Sequence, residues 1–329
     1  WSPNEEVVLQ AFEDYHEGRP FLDQVVFKIF PGNPLEKIFE EFSSKRELEE
    51  SIVPSDKSDE INRDPRYKPY IRLKKPTLSI LYLGLNNKLS PFTDKRVRQA
   101  FNYAVNREAI VRDITKRGSI VARGILPPGM SAYNPELQGY YYDPAKAKRL
   151  LAEAGYPDGK GLPKIELWSG SKAESTLKEL DAYKGYFEDI GVNVEVTFAP
   201  DSKTFFERLS KGEVPMFRAS WFADIPDPDN FLYVLFHSQS KTNRTFYRNK
   251  KVDELLTQAR KETDYLKRIS LYREVEKIVI DDAPWIGQHH HVFEYLFQPY
   301  VHGVEINSLG GPYIPMKKIW LDKNARKGS

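Results

Sequence analysis

The sequence predicts an α/β fold, on three observations. Between Lys164 and Trp221, strand-like and helix-like segments alternate as β-α-β-α-β. That order implies parallel strands with right-handed crossovers and helices packed on the sheet. The 329 residues, 40% hydrophobic and 29% charged, have a globular balance and a length that suggests about two domains. No run of 18 apolar residues interrupts the pattern, so no spanning helix is expected.

The composition also excludes function classes. Lys and Arg number 49 against 47 Asp and Glu, a net charge of +2, so no net field draws in nucleic acid or an anionic membrane. Zero cysteines exclude disulfides, thiol catalysis and thiolate metal sites, while leaving the redox compartment open. The chain opens on Trp1-Ser2-Pro3-Asn4, with neither an initiator Met nor a basic-then-apolar leader. A processed N-terminus or a piece of a longer chain both fit that start.

Val7–Leu9 and Phe21–Phe30 read as short strands around the turn residues Tyr15, Gly18 and Pro20. Leu35, Ile38, Phe39 and Phe42 recur at helical spacing across 35–48. Residues 53–76, with four prolines and many charges, read as a loop or hinge approach and a first boundary. Leu78–Leu85 is strand-like and is broken by Asn86-Asn87. Thr93 or Asp94 then caps a helix whose Val97, Phe101, Ala104 and Val105 form one stripe, with Gly118 as its stop. Asp143-Pro144 starts another helix, closed near Gly155.

The alternating region follows. It comprises strand 164–168, helix 172–190 ending at Gly191, strand 192–198, helix 202–211 capped by Asp201, and strand 214–221. Helices at 231–236, 250–262 and 264–281 precede an aromatic strand, Trp285–Phe297.

Catalytic signatures are missing: no G-x-S-x-G elbow, no phosphate loop and no H-E-x-x-H helix. The glycines at 155, 159 and 161 read as a helix-to-strand turn. His289 and His291 would share one strand face, with His290 on the other, but no acidic partner at fixed spacing completes a metal set. No metal or cofactor is therefore expected. Asp224, Asp227 and Asp229 lack the central Gly and the bidentate Glu of a calcium loop and read as a rigid turn before a helix.

That turn stands at the carboxyl end of the last parallel strand, where open α/β sheets collect ligands. Arg218, Trp221 and Asp224 bring a guanidinium, an indole and a carboxylate within seven residues. Such a set suits a zwitterionic guest such as a short peptide, and a structural salt bridge is the other reading. Arg218 and Asp224 share strand parity, so Trp221 faces away unless the chain bends.

These residues resemble the peptide-type (family 5) solute-binding proteins of ABC importers. Leu9–Phe30, with Tyr15-His16-Glu17-Gly18-Arg19-Pro20, is similar to the family's strand–turn–strand. The most specific match runs from Leu83 to Val111. It contains L-x-x-N-N ending at Asn87, Pro91-Phe92-x-Asp94-x-Arg96-Val97-Arg98-Gln99-Ala100, and Ala104-x-x-Arg107. Trp221-Phe222-Ala223-Asp224-x-Pro226-Asp227-Pro228 resembles the ligand-side turn, and Pro299-Tyr300-Val301-x-Gly303 also matches.

The resemblance implies a two-lobe periplasmic-binding-protein-like fold (class II type) that closes on ligand by a hinge. On it, residues 1–78 are part of lobe one with the N-terminal portion absent, 79–288 are lobe two, and 289–329 return to lobe one. It implies a binding protein rather than an enzyme, monomeric, at the outer face of a bacterial or archaeal cytoplasmic membrane, either free or lipid-anchored through the absent N-terminus. Its partners would be a short peptide and the ABC permease subunits. Asp224 matches the position that pairs with a peptide's α-ammonium, and Arg218 one that in some members meets the ligand carboxylate. Trp221 matches the pocket's aromatic wall, and Asn86 the strand end bordering the cleft. Nickel, haem or oligosaccharide are the alternative ligands, since one fold hosts several pockets. An α/β hydrolase is the alternative from another class.

Overall fold

The computed structural model describes residues 1–32, 34–54, 57–116, 118–322 and 324–325. They form two units, Trp1–Lys75 with the chain from Val292 on, and Pro76–His291. The divisions fall after residues 75 and 291, three residues from each expected boundary.

The first unit opens with β1 (Glu6–Gln10) and β2 (Gln24–Lys28), an antiparallel pair in register from Glu6↔Lys28 to Gln10↔Gln24. Helix α1 (Leu35–Ser43) buries Phe39 and Phe42. The segment 53–76 is not the loop its prolines suggest. After β3 (Glu50–Ile52) come a short helix α2 (Ser58–Arg63), a 3₁₀ turn that begins at Pro65, and strand β4 (Ile71–Pro76). The prolines sit at element edges, where no ladder or helix hydrogen bond is lost. In β4, Ile71 and Leu73 alternate with Arg72 and Lys74, a period of two hidden by the charges.

The second unit is built on β5 (Ser79–Leu85), all seven residues of which are buried. Asp94 caps α3 (Lys95–Ala104), accepting from the Arg96 N–H at 2.8 Å. The helix stops at Ala104 rather than near Gly118, because Val105 is extended and Asn106 caps a new turn, α4 (Arg107–Ala109), that runs on to Thr115. Then follow β6 (Ile120–Val121), α5 (Pro144–Glu153), β7 (Ile165–Ser169), α6 (Glu174–Glu188), β8 (Val194–Phe198), α7 (Ser202–Lys211) and β9 (Met216–Phe222). The unit ends with α8 (Asp229–Phe236), α9 (Lys250–Lys261), α10 (Tyr265–Asp282) and β10 (Trp285–His290).

The six-stranded sheet has the order β6-β10-β5-β9-β7-β8. Strand β7 is parallel to both β8 and β9, as the alternation implies, while β5 runs antiparallel to β9 and β10. A core of fully buried side chains, among them Leu83, Phe101, Leu167, Phe187 and Met216, packs on one side.

The stretch Trp285–Phe297 is two strands, not one. After β10, the chain passes His291 and enters β11 (Val292–Phe297), which lies between β3 and β4 in the first unit's three-stranded sheet. No Gly, Pro, Asn or Asp stands at the crossing His290-His291-Val292, so no turn residue marks it.

Candidate ligand site at the carboxyl end of a parallel strand

Strand β9 pairs with β5 residue for residue, with Leu83↔Arg218, Leu81↔Ser220 and Ile80↔Trp221. Period two puts Arg218 and Ser220 on one face and Trp221 on the other. Helix α6 covers the Arg218 face and supplies Glu179. The guanidinium Nε and Nη2 donate to one oxygen, Glu179 Oε2, at 2.8 and 2.7 Å. The two side chains are only 15% and 5% exposed. Arg218 is thus ion-paired, and its partner is Glu179 rather than Asp224.

Beside the pair lie two histidines. A register shift between Gly287 and His289 sets His289 opposite Leu81, on the Arg218 face; regular alternation from Trp285 would have turned it to the other side. His289 Nε2 is 3.3 Å from His291 Nδ1, and His291 Nε2 is 3.5 Å from Ser220 Oγ. Burial, helped by His291 and Arg218, holds His289 well below the ordinary imidazole range, so it is neutral at pH 7. Its Nδ1 and the Tyr183 hydroxyl are buried without a hydrogen-bond partner. His290 points elsewhere, with Nδ1 2.8 Å from the Ser79 carbonyl. Among the described residues no group of three or more metal-ligating side chains converges.

On the opposite face Trp221 is half-buried, and its indole N–H has no hydrogen-bond partner. Beyond the strand, the acidic turn is organised by arginines. Arg268 forks onto Asp227 at 2.9 and 2.8 Å, and Arg260 forks onto Asp229 at 2.8 and 2.7 Å. Asp227 and Asp229 are therefore each committed to a guanidinium pair. Asp224 is exposed, and Asn230 is one of its partners. Its N–H donates to Asn230 Oδ1 at 3.1 Å, and Asn230 Nδ2 donates to its Oδ2 at 3.3 Å.

Asn86 corrects the sequence reading. It is fully buried, its Nδ2 donates to the carbonyls of Gly212 and Val214 at 3.1 and 3.0 Å, and its Oδ1 accepts from the Lys88 N–H. The side chain ties the end of β5 to the α7–β9 loop and borders no open surface.

Glu179 was missed, although a signal existed. It lies on the buried stripe of α6 with Leu180, Tyr183 and Phe187. A carboxylate on an apolar stripe requires a cation or donors in the interior, and Arg218 on a strand interior was the candidate.

Residues 1–243 match the bacterial extracellular solute-binding proteins, family 5 Middle. The chain is similar to the dipeptide-binding protein of Escherichia coli K12, with 29% identity over 309 residues, 92% of this chain and 56% of that protein. Haem-binding protein A of Haemophilus influenzae is 32% identical over 303 residues, 89% of this chain and 53% of that protein. The solved structure of the ABC transporter-associated periplasmic binding protein DppA from Helicobacter pylori, in complex with peptide STSA, is similar with a TM-score of 0.83 at 26% identity. That match covers 98% of this chain and 62% of the other, and it gives the periplasmic-binding-protein α/β fold expected from the sequence. The chain spans about half the length of the curated relatives it matches.

Proposed function

Because the chain belongs to the bacterial extracellular solute-binding proteins, family 5, we propose that it acts in the extracytoplasmic capture of short peptides for an ABC importer, without chemical turnover. On this reading the unit Pro76–His291 is lobe two, and the other unit belongs to lobe one. Asp224 receives the peptide's α-ammonium and Trp221 is the flat wall beside it.

The observation that carries the reading is the exposed, rigidly held acidic turn at the carboxyl end of the parallel strand β9. Asp227 and Asp229 are each neutralised by a forked arginine, which fixes the turn. Asp224, on the same turn, is exposed and oriented by Asn230. A carboxylate aimed by a rigid turn at the end of a parallel strand is suited to hold an ammonium.

Binding of peptides to the intact native protein tests it. Removing the charge that a buried ammonium needs typically costs about 3–5 kcal/mol, or roughly two to three and a half decades of affinity. Asp224→Asn is expected to lose affinity on that scale with little change in melting temperature. N-acetylated peptides should bind wild type poorly and be penalised much less by the mutation. The peptide should be recovered uncleaved. If Asp224→Asn instead unfolds the unit and the surviving protein binds normally, Asp224 is a structural residue. Haem is the second reading, favoured by the 32% identity to haem-binding protein A; a Soret band that saturates at one haem per chain, with no peptide retained, would establish it.

A further inference from the structure

We infer that Glu179 is a specificity-determining residue that keeps Arg218 from a guest's carboxylate, so that the site reads a peptide's amino end and not, through Arg218, its carboxyl end. The inference rests on the peptide reading of Asp224. By resemblance alone, Arg218 was expected to meet the ligand carboxylate. Here two of its nitrogens converge on a single oxygen of Glu179.

The pair is flanked by Leu83 on β5 and Ser169 on β7, 0% and 1% exposed, both in register with Arg218. A guest carboxylate taking Arg218 would leave the Glu179 charge in the interior, where an unpaired ion is strongly unfavourable. His289, on the same face, supplies no replacement charge. His289 is neutral because burial and Arg218 itself oppose its protonation. Among the described residues, the second Glu179 oxygen accepts from the Thr115 hydroxyl at 3.5 Å. The ligand class that follows is peptides with a free α-ammonium, accepted with little regard to whether the far end is a carboxylate, an amide or further chain.

A pool of random tri- to pentapeptides, offered to the intact protein as free acids and as C-terminal amides in competition, with bound peptide read by mass spectrometry, tests this. Wild type is expected to retain the two forms within about threefold of each other, and Glu179→Gln to favour the free acids by about tenfold or more. Adding Arg218→Ala to Glu179→Gln should remove the preference. Glu179→Asp withdraws the charge by one methylene and is the variant to use if Glu179→Gln does not fold; it should show the same preference in smaller measure. A wild-type preference for free acids of about tenfold, abolished by Arg218→Ala, overturns the inference, as does the absence of any new preference in both Glu179 variants. Retention of neither form by wild type overturns the peptide reading itself, and this inference with it.

Discussion

Glu276 on α10 sends its carboxylate into the interior, 1% exposed, where Oε1 accepts from the backbone N–H groups of Ile125 and Leu126 at 2.7 and 2.8 Å. Burial pushes its pKa up to about 7, against the pull of the two N–H groups. A carboxyl raised in the folded state binds more protons there than in the unfolded chain. Its contribution is therefore full below the ordinary carboxyl range and is lost as pH rises towards 7. His290 has the opposite sign. Burial lowers it to about 4, so its contribution is full above the ordinary imidazole range and is lost as pH falls towards 4. Gln at 276 keeps the oxygen that accepts both N–H bonds and removes the titration. Glu276→Gln should thus gain stability relative to wild type by about 3 kcal/mol more at pH 8 than at pH 4. Urea melts at the two pH values measure it, and an equal offset at both would show that Glu276 does not titrate in this range. At this scale the partners of buried groups were poorly legible in the sequence. Asp224 stood out beside two prolines, whereas Glu179, Glu276 and Asn86 act through partners 39, about 150 and 126–128 residues away.

Among the elements, starts with a local chemical cause were legible. Asp94, Asp143 and Asp201 cap α3, α5 and α7 because each carboxylate reaches an N–H two or three residues on. The misread elements had their cause at a distance. Strand β4 owes its place to Glu294 on β11, which holds Arg72, and the break between β10 and β11 follows from their pairing with different strands. Asn86 is a device of this second kind, joining the end of β5 to the α7–β9 loop through two carbonyls. Asn86→Ala leaves Gly212 and Val214 without those donors in a buried setting, at a cost of about 2–4 kcal/mol. The variant should melt earlier while its folded fraction binds ligand with unchanged affinity. A large loss of affinity at unchanged stability would instead make Asn86 a ligand group.

Across the whole molecule, family membership was legible because its motifs are dense from Leu83 to Val111 and around Asp224, while the ligand depends on a few side chains. The units also differ in how the chain builds them. The first is assembled from two separated segments, and the second is the single continuous stretch Pro76–His291. The ends of that stretch meet. The Thr77 N–H and hydroxyl both donate to the His291 carbonyl, at 2.9 and 3.1 Å, and the His291 N–H donates to Ser79 Oγ at 3.2 Å. The six-stranded sheet closes within the stretch, and so does the cluster of buried side chains around Phe101, Leu167 and Met216. A segment with its own core, a complete sheet and adjoining ends has what an independent domain requires. Residues 76–291 produced alone should therefore unfold in one cooperative transition and retain the Glu179–Arg218 pair, so that Glu179→Ala, which strands the Arg218 charge, destabilises the fragment by about 3–5 kcal/mol. Thermal melts followed by circular dichroism measure both. A fragment that shows no cooperative transition would mean that the core of this unit depends on the other.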